Sequence, residues 1–389
     1  MAQKNLNLIR STLLSIFFVL IGCKSDPRNT ASEKIVMKTE NIIKHKPMEL
    51  LVGTYTNEKS KGIYKLDFDV QTGSLSNTIL LAECENPTYL HISKDRSKVY
   101  ISNELEPGSI SIYEFTEDRK SLTLLGDYSS EGRGACFIEL DKNENLVAAA
   151  NYSSGSIVVY KLDKTGNIDD GPMGRQHNGS GPHPNQDSAH AHCVKFDASG
   201  KYLYAVDLGI DEILSYEISG NHEIGNGKTA LKTDPGDGPR HMIFHPNRNI
   251  AFVINELSSS IFSVAVDKVT GKLERIDKQS TLPEDFKGDN ACADIHLGKN
   301  GKFLYASNRG HNSIAVFSVA DNGVLELLDT EPVKGDWPRN FTLSLDGNFL
   351  LVANRKSNNI TVFKVDEDSG LLSYTGKQLE ISQPVCLKF

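Results

Sequence analysis

From about residue 50 to the C-terminus, apolar residues do not recur every three or four positions. They alternate over short segments, and clusters of Gly, Asn, Asp and Ser separate those segments. A period of two marks β-strands, whose successive side chains point to opposite faces. One segment recurs along the chain. Gly301-Lys302-Phe303-Leu304-Tyr305-Ala306-Ser307-Asn308-Arg309, followed by Ser313-Ile314-Ala315-Val316-Phe317, returns at Gly347 to Arg355 with Asn359 to Phe363, and at Gly200 to Asp207 with Ile213 to Tyr216.

Aligned on this segment, each unit supplies three strands, A, B and C, and a more variable fourth. The A strands start near Thr88, Cys136, His192, Arg240, Ala293, Arg339 and Val385, at spacings of 48, 56, 48, 53, 46 and 46 residues. The B strands end near Tyr55, Asn103, Asn151, Asp207, Asn255, Asn308 and Asn354. Both columns have seven members, and a repeat of this length with four strands is a propeller blade. The body opens on a B strand (Glu49 to Tyr55) with no A strand before it. It ends on an A strand (Pro384 to Phe389) with no B strand after it. The sequence therefore predicts an all-β, seven-bladed propeller over residues 48–389, with four-stranded antiparallel blades. Pairing the N-terminal strands with the C-terminal strand closes the ring and hides the sheet edges.

Each A–B hairpin turn joins the end of A to the start of B, so the A-strand starts and B-strand ends share one face of the disc. Thr88, Cys136, His192, Arg240, Ala293, Arg339 and Val385 gather there, with Tyr89, Phe137, Cys193, His241, Asp294, Asn340 and Cys386 one place later. After the B strands come Glu104, Tyr152, Leu208, Glu256, Arg309 and Arg355. These residues differ from blade to blade, which suggests an asymmetric site. The Asn and Asp closing the B strands read as turn residues bonding their own backbone. His190 and His192 have the spacing of two metal ligands on one strand face, but no third ligand is evident nearby in the chain, and no metal is predicted. The irregular stretch Ile168 to Ser188 accounts for the 56-residue spacing and has the length of a lid or binding loop.

A length of 389 residues would by itself suggest two or three domains; the repeat replaces them with one ring and a leader. Lys4 and Arg10 precede an apolar run from Leu13 to Ile21, too short to span a bilayer and of secretory-signal form. Leu20-Ile21-Gly22-Cys23 resembles a bacterial lipobox, which implies cleavage after Gly22 and lipidation of Cys23. Residues 1–22 are thus read as a signal, and 23–47 as a lipidated tether holding the protein to the cell envelope, on the periplasmic or surface side. With 42 Lys+Arg against 50 Asp+Glu, a net charge of −8 and no long basic run, no nucleic-acid partner is expected. Six widely spaced cysteines, none in C-x-x-C spacing, exclude a disulfide scaffold and leave five dispersed, buried thiols beyond Cys23. The modest acidity conceals a local excess of arginine at one mouth, which favours anionic ligands. No nucleophile elbow, zincin motif, P-loop or dinucleotide fingerprint is present.

At these mouth residues the chain resembles the seven-bladed propeller lactonase family, which includes bacterial propeller-type 6-phosphogluconolactonases and fungal carboxy-muconate lactonizing enzyme. The resemblance covers about Leu50 to Phe389. It is densest in Ser188-Ala189-His190-Ala191-His192, Gly238-Pro239-Arg240-His241, Asn255-Glu256-Leu257, Ala293-Asp294-Ile295-His296-Leu297, Ser307-Asn308-Arg309-Gly310 and Trp337-Pro338-Arg339-Asn340-Phe341. It implies catalytic roles for His192, Glu256, Arg240 and Arg309. His190, His241, Asp294, Arg339, Arg355 and Glu104 are expected at the substrate. Such a set suits lactone opening without metal or other cofactor. His192 or Glu256 would act as general base, Arg240 and Arg309 would stabilise the oxyanion, and Arg339 with Arg355 would hold a carboxylate or phosphate. The expected partner is a small anionic lactone, most simply 6-phospho-D-glucono-1,5-lactone, acted on by a monomer. A muconate-type cycloisomerase, a metal-dependent lactonase and a non-catalytic envelope-binding propeller are the alternatives.

Overall fold

The computed structural model describes residues 47–389. The signal, the lipidated Cys23 and nearly all of the tether expected from the sequence lie outside the described residues.

Seven four-stranded antiparallel sheets account for every strand, and no helix occurs among the described residues. In the first six blades the strands run A, B, C, D in chain order; the first blade comprises Pro87–Ile92, Lys98–Asn103, Ser109–Phe115 and Leu122–Ser129. The seventh blade is assembled from both ends of the chain, with Pro384–Lys388 paired to Met48–Thr54, then Gly62–Asp69 and Ser74–Glu83. The A strands touch one another in a closed cycle around the axis, so they wall the central channel. Between blades, the side chains that alternate away from the channel, Leu90, Ile138, Val194, Met242, Ile295, Phe341 and Leu387, are buried apolar residues. B strands are covered on both faces: Leu146–Asn151, Ile250–Asn255 and Phe349–Asn354 are buried along their whole length. This explains why they read as near-continuous apolar runs, whereas D strands such as Leu273–Ser280 are mostly exposed, with half-buried positions only at Asp277 and Gln279 beyond the buried Leu273.

Every A strand carries a β-bulge near its start. In the first blade Pro87 pairs with Asn103 but Tyr89 pairs with Ser102, which leaves Thr88 as the extra residue. The same shift falls at Cys136, His192, Arg240, Arg339 and Val385, and between Cys292 and Ile295 in the fifth blade. A bulge inserts one residue and re-aims the side chains beside it. Hence consecutive residues such as Arg240 and His241 both reach the channel, which strict alternation forbids.

Three sequence expectations change in the structure. The B-strand asparagines do not mainly bond their own turns. Asn151 Nδ2 donates to Ser130 O and Ser156 Oγ, and Asn308 Nδ2 to Thr281 O and Ser313 Oγ. They clip the C strand to the segment arriving from the previous blade. In the seventh blade the strand ends at Thr54 rather than Tyr55, because Thr54 is the residue that pairs with Pro384; Tyr55 therefore occupies the position that Glu104, Glu256 and Arg309 hold elsewhere. Lastly, residues 168–188 are not a free loop. They contain the fourth strand of the second blade, Met173–Gln176, and are pinned onto the third. His177 bonds Asp207 at 2.7 Å and the Tyr216 hydroxyl at 2.8 Å, while buried Gln186 Nε2 donates to Leu208 O and Asp211 Oδ1. A Cβ at Gly209 would stand 1.9 Å from Ser188 O, so only glycine lets this segment pass into His190.

Candidate active site

The bulged layer closes the channel mouth. Thr88, Tyr89, Cys136, His192, Arg240, His241, Arg339, Asn340 and Val385 surround a space of about 10 Å³, enough for one water. Larger surface clefts, such as that among Ser93, Lys98, Tyr100 and Asp163 at the A–B turn end of the disc, hold mainly turn residues and none of the convergent chemistry.

Three expected residues, Glu256, Arg240 and Arg309, come together here as an ion cluster. Glu256 Oε2 lies 2.9 Å from Arg240 Nε and 2.7 Å from Arg309 Nη2. Burial alone would raise the Glu256 pKa, but Arg309 and Arg240 outweigh it and hold the carboxyl below its ordinary 4.5. The Arg240 Nε–H is poorly aligned on the carboxylate and makes no hydrogen bond despite the short distance. Arg240 Nη1 donates to Ala293 O at 2.6 Å and to His241 Nε2 at 3.2 Å. Arg309 donates through Nε to Ala291 O and through Nη2 to Cys292 O. Among the described residues, Arg240 Nη2 and Arg309 Nη1 have no hydrogen-bond partner, so each guanidinium keeps one edge for a ligand. Burial and neighbouring Arg309 bring the Arg240 pKa down to about 10, still well above neutral.

His241 is fixed from behind. Its Nδ1–H donates to Asp294 Oδ1 at 2.9 Å, since an ionised carboxylate only accepts; Nε2 is left as the acceptor for Arg240. Asp294 also accepts from His296 Nε2 at 2.9 Å and from Asn340 Nδ2 at 2.5 Å. The Asp294 oxygens, expected at the substrate, are thus committed within the protein, and the structure makes Asp294 the anchor of the His241–Arg240 contact. Burial works against its charge, yet His296 and His241 hold its pKa well below the ordinary value.

His192 is buried, with Nδ1 3.8 Å from Cys136 Sγ and no hydrogen-bond partner on Nε2 among the described residues. Burial, Arg240, His241 and Arg339 push its pKa well below 6.5, which keeps the imidazole neutral. His190 stands beside this layer: its ring stacks on Tyr152 at 4.6 Å, and its nitrogens meet Tyr152 O and Asp187 Oδ1. The two histidines flank one tyrosine, with Tyr152 edge-on to His192 at 5.5 Å.

The remaining expected residues form the rim. Tyr55, displaced into this column, donates its hydroxyl to Glu104 at 2.8 to 2.9 Å. Its ring lies beneath the guanidinium groups of Arg355 at 4.5 Å and Arg339 at 5.4 Å. Arg339 approaches Glu104 at 3.4 Å, while Arg355 has no carboxylate partner among the described residues. Trp337 holds a left-handed φ of 66°, rare for so bulky a side chain, and presents its ring to Arg309 at 5.4 Å and Lys356 at 3.4 Å. Sequence reading missed Tyr55 through the one-residue strand end, and Trp337 because nothing in a linear pattern announces a positive φ.

The family described as "Lactonase, 7-bladed beta-propeller" matches residues 49–389, and this chain belongs to it. Among its relatives, the 6-phosphogluconolactonase of Bacillus subtilis is 32% identical over 340 residues, covering 87% of this chain and 97% of that one. A 6-phosphogluconolactonase of Formosa agariphila is 35% identical over 309 residues, 76% of this chain and 86% of the other. The solved periplasmic gluconolactonase of Pseudomonas aeruginosa superimposes with a TM-score of 0.83 at 30% identity, covering 88% of this chain and 98% of that one.

Proposed function

We propose that this protein is a lactone hydrolase that opens 6-phospho-D-glucono-1,5-lactone, or a closely related sugar lactone, to the corresponding acid. The observation that carries this reading is a neutral histidine with a free Nε2, set beside two arginines that each keep an unbonded guanidinium edge. The relatives named 6-phosphogluconolactonase and gluconolactonase support the substrate class.

With so little space inside the layer, the lactone lies on top of it, between His192 and the arginine rim. His192 Nε2 takes a proton from a water that attacks the carbonyl carbon. Negative charge developing on the carbonyl oxygen falls to Arg240 and Arg309, whose positions are set in advance by Glu256, Ala293 O, Cys292 O and His241. Collapse of the tetrahedral adduct breaks the bond to the ring oxygen, which takes the proton back from His192. Glu256 is the weaker candidate for base, since two guanidinium groups hold its electrons; its role is to neutralise and align them. Arg355 and Arg339 receive a phosphate or carboxylate at the rim.

The leader supports export with Cys23 lipidated at the envelope, and the Pseudomonas neighbour is described as periplasmic. A pH-stat screen of the protein against phosphorylated and unphosphorylated gluconolactones tests the proposal. Turnover above spontaneous hydrolysis, lost in both Arg240→Ala and His192→Ala, is expected. Absence of turnover on every lactone, or near-wild-type rates in both variants, refutes it.

A further inference from the structure

The channel has a second polar floor. One inward-facing position two residues beyond the Tyr89 layer recurs in each blade: His91, Glu139, Lys195, Ile243, His296, Thr342 and Lys388, placed by strand register. Six of the seven are polar, although the intervening residues on the same strands are all apolar. All seven are partly open to solvent, so this layer lines a wet chamber rather than a sealed core. Above it, Tyr89 and Phe137 stack at 4.1 Å with the His241 ring against Phe137 at 5.2 Å. This aromatic plug separates the chamber from the catalytic mouth.

The chamber's charges are unbalanced. Lys195 Nζ meets Glu139 Oε2 at 2.9 Å. Lys388 has no carboxylate partner among the described residues and only faces Tyr89, 4.4 Å from the ring and 3.4 Å from the hydroxyl. Glu139 Oε2 is itself a buried oxygen without an aligned hydrogen bond. Lys388 and Lys195 both act on His91, which burial and these cations lower to about 3, leaving a neutral ring with no hydrogen bond to the protein among the described residues. Two lysines against one carboxylate, with Lys388 lacking a carboxylate partner and Glu139 met only by Lys195, leave room for a ligand that is anionic and also carries a donor.

We infer that the mouth of the channel opposite the catalytic one is a second binding site for a small hydroxylated anion, a hydroxy acid or sugar phosphate, with Lys388 and Lys195 at the oxyanion and Glu139 accepting from a hydroxyl. The inference stands on its own residues and does not depend on the lactonase reading. Isothermal titration of the full-length protein with gluconate, 6-phosphogluconate and inorganic phosphate tests it. Arg339→Ala/Arg355→Ala removes the rim arginines and weakens binding at the catalytic mouth, so the part of the persisting binding that the lysine substitutions remove reports the second site. Lys388→Met in that background is expected to weaken the persisting binding at least tenfold, and Lys195→Gln to do the same. Glu139→Gln should weaken the hydroxylated anions more than phosphate. Lys388→Met alone should keep wild-type turnover, which also certifies its fold. No binding in the rim variant, or affinity unchanged by both lysine substitutions, overturns the inference.

Discussion

Replacing Glu256 by Gln removes one charge and almost no volume from the centre of the ion cluster. At 2.9 and 2.7 Å, each guanidinium contact is worth about 6 kcal/mol at an effective dielectric of ~20. Desolvation of the three groups offsets most of that, and breaking a buried pair by deleting one partner typically costs about 3 to 5 kcal/mol, because the remaining charge is uncompensated. Arg240 retains Ala293 O, and Arg309 retains Ala291 O and Cys292 O, so the lower end, about 3 kcal/mol, is expected. The folded pKa of Glu256 lies below its ordinary 4.5. Its contribution is therefore fully present above that pH and is lost as pH falls through the lower folded value. Urea denaturation at neutral pH should place the variant about 3 kcal/mol below the parent, and the gap should narrow in acid. Turnover should fall by roughly 10- to 100-fold through misaligned arginines, short of the loss expected for the base itself. A variant within 1 kcal/mol of the parent, or a gap that does not shrink in acid, would refute the electrostatic account. Turnover as low as that of His192→Ala would instead return the role of base to Glu256.

Because burial, Arg240, His241 and Arg339 depress the pKa of His192, the acid limb of kcat/KM should lie well below pH 6.5, and Arg339→Met should move it upward; a limb near 6.5 that ignores Arg339 excludes His192 as base. Gln186→Ala leaves the Leu208 carbonyl and Asp211 short of a donor in a buried setting. It should cost about 2 kcal/mol and expose residues 178–188 to limited proteolysis, while resistance equal to the parent's would show that this segment is held elsewhere.

The blade count, the strand phase and the closing pair of termini were legible because they depend on a local period of two and a repeat of about fifty residues. The convergence of His192, Arg240, Glu256 and Arg309 followed from hairpin direction alone, which assigns strand ends to one face of the disc. What the linear pattern did not reveal was decided by contacts between distant segments. The bulges sit at the mouth-facing column of every blade, but a bulge is a relation between two strands and leaves no signature in one of them. Asp294 looks like any carboxylate until His241, His296 and Asn340, from three blades, take its oxygens. The irregular composition of residues 168–188 suggested freedom, yet His177 and Gln186 find buried partners thirty and more than twenty residues away. Local periodicity determined which segments become strands and how many blades they build. Only the packed ring fixed which charges are neutralised, which imidazole nitrogen stays free, and which guanidinium edges are left without a partner, because burial and pairing belong to the whole assembly of strands.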